Sequence, residues 1–323
     1  MTPIQTALYE DLKTTFGITP TDVTEVTGGY LNKKWKLVTA DGTAYLLKLF
    51  STVRYQENKL DRIEAAMQRQ KHLYQCGIPC PRVFSASDGS VIRRIPTPLG
   101  VDIAYMLMTF EDGCIPTDET VTAAQMTAIG DACARMHNAL ETLDAAEDHC
   151  CPLSSASVVQ RLCDHRRSLD SLPDYTPPTG IDPILASLDT AFFDRQKRQL
   201  CHEDLSADNL LVNGDDVMIL DFDRGQYSFP LHDVGRILLS LAFDSRCLRA
   251  PLVKAFRDGY RRHRPLSEQE IADALRITFA CEFPWWIHPD YERMTQPKIY
   301  RFVHEMYYLI KNWDNIPNII PGG

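Results

Sequence analysis

Apolar residues at Ile4, Leu8, Leu12 and Phe16 recur at helical spacing and predict an opening amphipathic helix. The period then shortens. Trp35 to Phe50 reads as two strands joined by Asp41-Gly42, a dipeptide suited to a tight hairpin turn, with Lys48 in the second strand. From Glu57 to Tyr74 the apolar positions Leu60, Ile63, Met67 and Tyr74 return to helical spacing, and Gly77, Pro79 and Pro81 supply a stop. Arg82 to Ala86 and Val91 to Ile95 flank Ser87-Asp88-Gly89 as a second expected hairpin, and Ile103 to Phe110 is a continuous β-prone run ending at Glu111-Asp112-Gly113. Beyond residue 113 the pattern is mainly helical, beginning with Thr122 to Leu140 (Met126, Ile129, Cys133, Met136, Leu140). Short strands are expected at Gln199 to Cys201, Leu210 to Val212 and Val217 to Leu220, and helices dominate from Val234 onward. The pattern therefore divides the chain into residues 1–113, a sheet with helices, and residues 114–323.

Composition narrows the class. The 323 residues are 44% hydrophobic and 24% charged, proportions of a soluble globular protein long enough for two lobes and a ligand-binding cleft. A net charge of -9, from 43 acidic and 34 basic residues, argues against nucleic acid or an anionic membrane as partner. Met1 to Phe16 has neither a basic segment nor an unbroken apolar one, and stretches such as Ile237 to Phe243 are too short to span a bilayer, so a cytoplasmic location is expected. In that setting the ten Cys are expected to be thiols, and His149, Cys150, Cys151, Cys163 and His165 match no zinc-ligand spacing.

Chemistry concentrates in His202-Glu203-Asp204-Leu205-Ser206-Ala207-Asp208-Asn209, followed by a strand and Asp221-Phe222-Asp223. Any one of these acids alone reads as a turn or cap residue. Together they fit phosphoryl transfer: Asp204 to accept the proton of an attacking hydroxyl, Asn209 and Asp221 to offer oxygens to Mg²⁺. Lys48 on its strand and Glu64 on the next helix supply the other expected pair, the lysine reaching nucleotide phosphates and the carboxylate holding the lysine. Without the distal motif they would be a snorkelling lysine and a solvated acid.

These motifs resemble the aminoglycoside phosphotransferase and choline kinase superfamily over nearly the whole chain. The resemblance adds the turn Thr27-Gly28-Gly29-Tyr30-Leu31-Asn32, Gly77-Ile78-Pro79-Cys80-Pro81, the hinge-like Leu107 to Gly113, Ala134-Arg135-Met136-His137 and His232-Asp233-Val234. It implies an α+β, bilobal protein-kinase-like fold: an N-terminal antiparallel sheet lobe with helices and a larger, mainly helical C-terminal lobe. It further implies nucleotide positioning at Gly28 and Gly29, adenine contacts from the backbone of Thr109 and Glu111, and an Asp233 that braces the catalytic loop, with His202 bracing rather than carrying the proton. Two features depart from the pattern: Gly28-Gly29 is not a full GxGxxG, and Glu203 stands where members often have Gly, which makes Glu203 a substrate-side candidate. Asp221 to Arg224, Leu231-His232-Asp233, Arg264 to Glu268 and Phe283 to Trp286 also resemble the spore-coat-associated kinases of the CotS type.

The expected activity is ATP- and Mg²⁺-dependent phosphorylation of a small-molecule hydroxyl, the acceptor being an aminoglycoside, choline, homoserine or a sugar-like alcohol. A CotS-like structural protein that keeps the fold with little activity is the alternative. A protein kinase would need a longer segment between Asp221 and Asp233, ending in an APE-like motif. Trp285, Asp290 and Glu292 are acceptor candidates by stacking and charge, against the alternative that the Trp285-Trp286 pair packs helices.

Overall fold

The computed structural model describes residues 3–26, 32–50, 55, 57–96, 103–143 and 154–319. They gather into two compact units, Met1–Asp112 with Phe222–Arg224, and Gly113–Asp221 with Gly225–Gly323. The fold is α+β.

In the first unit β1 (Pro20–Glu25), β2 (Lys33–Thr39), β3 (Ala44–Phe50), β4 (Arg93–Ile95) and β5 (Ile103–Thr109) form one antiparallel sheet in the order β1-β2-β3-β5-β4. Helix α1 (Pro3–Phe16) buries Leu8 and Leu12 against Leu37, Leu47, Ile103, Tyr105 and Leu107 of the sheet. Each such aliphatic side chain contributes about 1.5–3 kcal/mol relative to exposure. A polar pin orients the helix: Asp11 takes both Arg93 Nη2 (2.8 Å) and Nε (3.1 Å) and the Tyr105 hydroxyl (2.5 Å). Burial would raise the Asp11 pKa, and these bonds outweigh it and lower it.

Helix α2 (Glu57–Gln75) buries Leu60, Ile63 and Met67, but its last apolar anchor is Leu73, while Tyr74 faces solvent. Gly77 at φ +72° ends it, with Gly77 N–H on the Tyr74 carbonyl and Ile78 N–H on that of Leu73. That pair of bonds needs a left-handed residue, which glycine provides without a steric cost. The hairpin expected from Arg82 to Ile95 is not formed. Val83 bridges Met108 while Arg93–Ile95 pairs with Ile103 to Tyr105, so both segments lie along the same edge of β5. All of β5 except Thr109 is buried, and covering that edge satisfies more backbone than two short segments could by pairing with each other.

The second unit contains α3 (Ala123–Glu141), α4 (Ser155–Asp170), α5 (Ile181–Ser187), α6 (Thr190–Asp194), α7 (Pro230–Ile237), α8 (Ala250–Tyr260), α9 (Glu268–Trp286), α10 (Pro289–Glu292), α11 (Pro297–Lys311) and α12 (Ile316–Ile319). Two small antiparallel ladders join them, β6 (Gln199–Cys201) with β9 (Gln226–Ser228) and β7 (Leu210–Asn213) with β8 (Asp216–Ile219). Helix α3 starts on a reciprocal cap, Thr122 accepting from Gln125 N–H and Gln125 accepting from Thr122 N–H, and buries Met126, Ile129, Cys133, Met136 and Leu140. Among the described residues no helix is long and apolar enough to cross a membrane. Cys80, Cys133, Cys201 and Cys281 are buried, and burial pushes the Cys80 thiol up to about 12.

Helices α3 and α8 cross backbone to backbone. A methyl group at Gly130 would strike the Phe256 carbonyl oxygen, and one at Gly259 the Thr127 carbonyl oxygen. Gly130→Ala gains about 1 kcal/mol of helix propensity. Overpacking against backbone, which cannot swing aside, reaches the upper end of the usual range of about 1–3 kcal/mol at so close an approach, and the expected result is a net loss of about 1–2 kcal/mol. The urea midpoint measures it, and a variant as stable as the wild type would refute the close crossing.

Candidate active site

The loop from His202 to Asn209 starts where β6 ends. Its backbone is held by Asp233, fully buried on α7, whose Oδ2 accepts His202 N–H (2.9 Å) and whose Oδ1 accepts Glu203 N–H (2.8 Å). His137 Nε2, from α3, gives the same carboxylate a third bond at 3.1 Å, and Tyr260 from α8 reaches His137 Nδ1 at 2.9 Å. Burial pushes the His137 pKa down, so the neutral ring donates from Nε2 and accepts the Tyr260 hydroxyl at Nδ1. Burial would raise the Asp233 pKa, but His137 and the other histidines around it outweigh that and lower it. The Ala134 to His137 motif thus belongs to the brace.

A single residue, Leu220, ties the two halves of the motif together through its backbone. His202 Nε2 donates to the Leu220 carbonyl (2.8 Å), and Leu220 N–H donates to the Asn209 carbonyl (2.8 Å). Asp221 follows immediately at φ +61°, so its position is set by both His202 and Asn209. Within the loop, Ser206 N–H (2.8 Å) and Asn209 Nδ2 (2.7 Å) converge on the Asp204 carbonyl, and Asp204 N–H reaches His202 Nδ1 at 3.3 Å. Only the amide nitrogen of Asn209 can donate to a carbonyl, which leaves Oδ1 as the end able to take a cation. An amide oxygen with the Asp221 carboxylate is a hard-oxygen set that suits Mg²⁺, an ion that uses few protein ligands beside phosphates and water. Among the described residues no group of three or more His, Cys, Asp or Glu could hold a metal by itself.

In the first unit Lys48 is 3% exposed, and its ammonium lies 2.5 Å from Asp223. The expected Lys48–Glu64 pair is replaced. Glu64 turns its carboxylate to Val91 N–H (2.8 Å), Ile92 N–H (2.7 Å) and Gln68 Nε2 (3.0 Å), so it anchors the approach to β4. Two unpaired peptide donors at a strand start compete well for a carboxylate. Thr109 ends β5 with its N–H on the Arg82 carbonyl and its hydroxyl on Glu111 (2.5 Å). Gly28 and Gly29 lie outside the described residues, as do His149, Cys150 and Cys151.

The acceptor candidates separate. Glu203 turns inward to His232 (3.1 Å) and Gln226 (2.9 Å), and so is no substrate ligand here. Glu292 is tied to the hydroxyls of Tyr175 (2.6 Å) and Tyr307 (3.1 Å). Trp285 is 61% exposed and Asp290 is exposed, whereas Trp286 stacks on Phe302 and donates to Glu282. Lys298 on α11 pairs with Asp208 of the same loop as Asp204. Asp223, His137 and His232 are functional positions that the sequence pattern does not single out. For Asp223 the available signal is its place two residues beyond Asp221, and for His137 and His232 only the motifs around them.

The sequence profile of the phosphotransferase enzyme family, APH, matches residues 22–266. The chain belongs to that family. This phosphotransferase is 26% identical over 274 residues to a homoserine kinase of Methylobacillus flagellatus, covering 82% of this chain and 78% of that protein. Among solved structures, an amicoumacin kinase in complex with AMP-PNP and Ca²⁺ superposes with a TM-score of 0.65 at 16% identity, over 99% of this chain and 95% of that one. A microcompartment-associated aminopropanol kinase gives 0.62 at 14%, over 98% and 99%. At these identities the structural likenesses carry the fold, and the CotS resemblance gains no support from the relatives reported.

Proposed function

We propose that this phosphotransferase moves the γ-phosphoryl group of ATP to the hydroxyl of a small molecule in a Mg²⁺-dependent reaction, with homoserine as the acceptor. The observation that carries the chemistry is the Leu220 backbone, bonded through its carbonyl to His202 and through its N–H to Asn209, which links the Asp204 loop, Asn209 and Asp221 into one hydrogen-bonded unit. Asp204 accepts the acceptor's hydroxyl proton as the oxygen attacks. Lys48 supplies positive charge to phosphate oxygens, and Asn209 and Asp221 hold the ion, which would neutralise charge on the transferring phosphate. The acceptor is supported by the homoserine kinases among the sequence relatives. Release of ADP is to be measured with homoserine, 1-amino-2-propanol, choline and aminoglycosides. Turnover with homoserine at least about tenfold above the others is expected, and turnover confined to another member would replace the acceptor while keeping the reaction.

Nucleotide binding has its own readout. Millimolar Mg·ATP should raise the melting temperature, since a ligand at a hundred times its Kd adds about 2.7 kcal/mol of apparent stability. Asp221→Ala should abolish the Mg²⁺ dependence of that shift. No shift in the wild type would refute the nucleotide assignment.

A further inference from the structure

Glu203 carries a left-handed backbone, φ +67°, between the catalytic-loop residues His202 and Asp204. A glycine takes that conformation freely, while a glutamate is strained in it and keeps it only where its surroundings hold it. Two consecutive residues of α7 do so from opposite ends. Asp233 takes the Glu203 N–H at 2.8 Å, and His232 Nδ1 lies 3.1 Å from Glu203 Oε1, while Gln226 Nε2 holds Oε2 at 2.9 Å. His232 is itself held at its backbone, its carbonyl accepting the Thr278 hydroxyl at 3.3 Å, while its Nε2 lies 3.8 Å from Glu282 Oε1, within ion-pair but beyond hydrogen-bond distance.

We propose that His232 and Glu203 are a positioning pair: the buried imidazole clamps the glutamate inward, and the strained turn this enforces sets Asp204 for proton acceptance. Without the clamp the Glu203 side chain would turn to water and its backbone would relax from the left-handed region, moving the next residue, Asp204. The groups facing His232 are Glu203 of the loop, Glu282 and Cys281 of α9, and Asp233 and Arg236 of its own helix. Burial disfavours the imidazolium, and Cys281, Glu203 and Glu282 outweigh burial and raise its pKa well above the ordinary value. The pair is therefore an ion pair at neutral pH and is lost as alkaline pH removes the His232 proton.

This inference rests on the kinase reading above, and the test separates the two. His232→Gln should lower kcat about tenfold while the KM values for ATP and acceptor stay within about twofold, the pattern of an interaction felt in the transition state. In a Glu203→Gly background, where the turn is unstrained and there is no carboxylate to clamp, the same substitution should change kcat by less than about twofold. Glu203→Ala, strained and unclamped, should be slower than Glu203→Gly. Equal losses from His232→Gln in both backgrounds, or none in either, would overturn the pair. If His232→Gln does not fold, the wild-type pH profile decides: its alkaline fall in kcat should be absent from Glu203→Gly. If no acceptor is turned over, the kinase reading fails, and the pair is still read by NMR of the His232 ring, whose titration should move to lower pH in Glu203→Gly; an unchanged titration would overturn it.

Discussion

Asp204→Asn is expected to lower kcat by roughly 10² to 10⁴, the loss typical of a positioned general base, with ATP binding nearly unchanged. The substitution keeps the shape of the side chain and removes its ability to take a proton. It also keeps the bonds of the loop from Ser206 and Asn209 to the Asp204 carbonyl and from Asp204 N–H to His202, because all three use the Asp204 backbone. A kcat loss at an unchanged melting temperature therefore reports chemistry rather than collapse. Initial rates of ADP release, with nucleotide affinity measured separately by calorimetry, check both halves. Wild-type turnover would mean that another group accepts the proton, and with Glu203 turned inward the nearest acid in the loop is Asp208, already paired with Lys298.

Local features of the fold were legible in the sequence because their causes are local. The Asp41-Gly42 turn, the Gly77 stop and the apolar stripe from Met126 to Leu140 each carry their signal within a few residues, and each element forms. Strand β9 has only Gln226, Tyr227 and Ser228, too short and too polar for a periodicity, and it exists because β6 offers it an edge. Glu64 shows the limit in the site. Spacing placed it on the helix after Lys48, but the carboxylate's choice between an ammonium and the Val91 and Ile92 peptides depends on a chain path some 27 residues away. The role of Glu203 was hidden for a similar reason: the left-handed φ and the inward clamp come from His232, 29 residues downstream.

The strongest structural effect is expected at Arg236, again a residue without a local signal. Its guanidinium is buried, with Nη1 2.7 Å from Glu282 and Nη2 on the fully buried Glu305; Nε lies 3.3 Å from the Ser240 hydroxyl in the π-helical turn that continues α7. Arg301 approaches the other oxygen of Glu305 at 3.1 Å and Asp118 at 2.7 Å. With Glu203 and His232 at the other end, charges alternate from the catalytic loop through α7 and α9 to α11. Arg236→Met would leave Glu282 and Glu305 short of their shared cation, and breaking a buried pair from one side costs about 3–5 kcal/mol. The double variant Arg236→Met/Glu305→Gln should recover part of that loss, because it removes one of the two stranded charges. The pH dependence has a definite sign. In the wild type, burial would raise the Glu282 pKa, but Arg236 and His232 hold it at about 2, so its contribution is present above its ordinary 4.5 and is lost as pH falls toward 2. Glu305 is shifted the other way, raised mainly by burial, so its cost at neutral pH is relieved by acid. Removing the arginine pushes both pKa values up, and the variant should regain stability relative to wild type as pH falls from 8 toward 5. Chemical denaturation at pH 8, 6.5 and 5 measures this, and a constant difference, or one under about 1 kcal/mol, would show that Arg236 does not hold these carboxylates in their charged state.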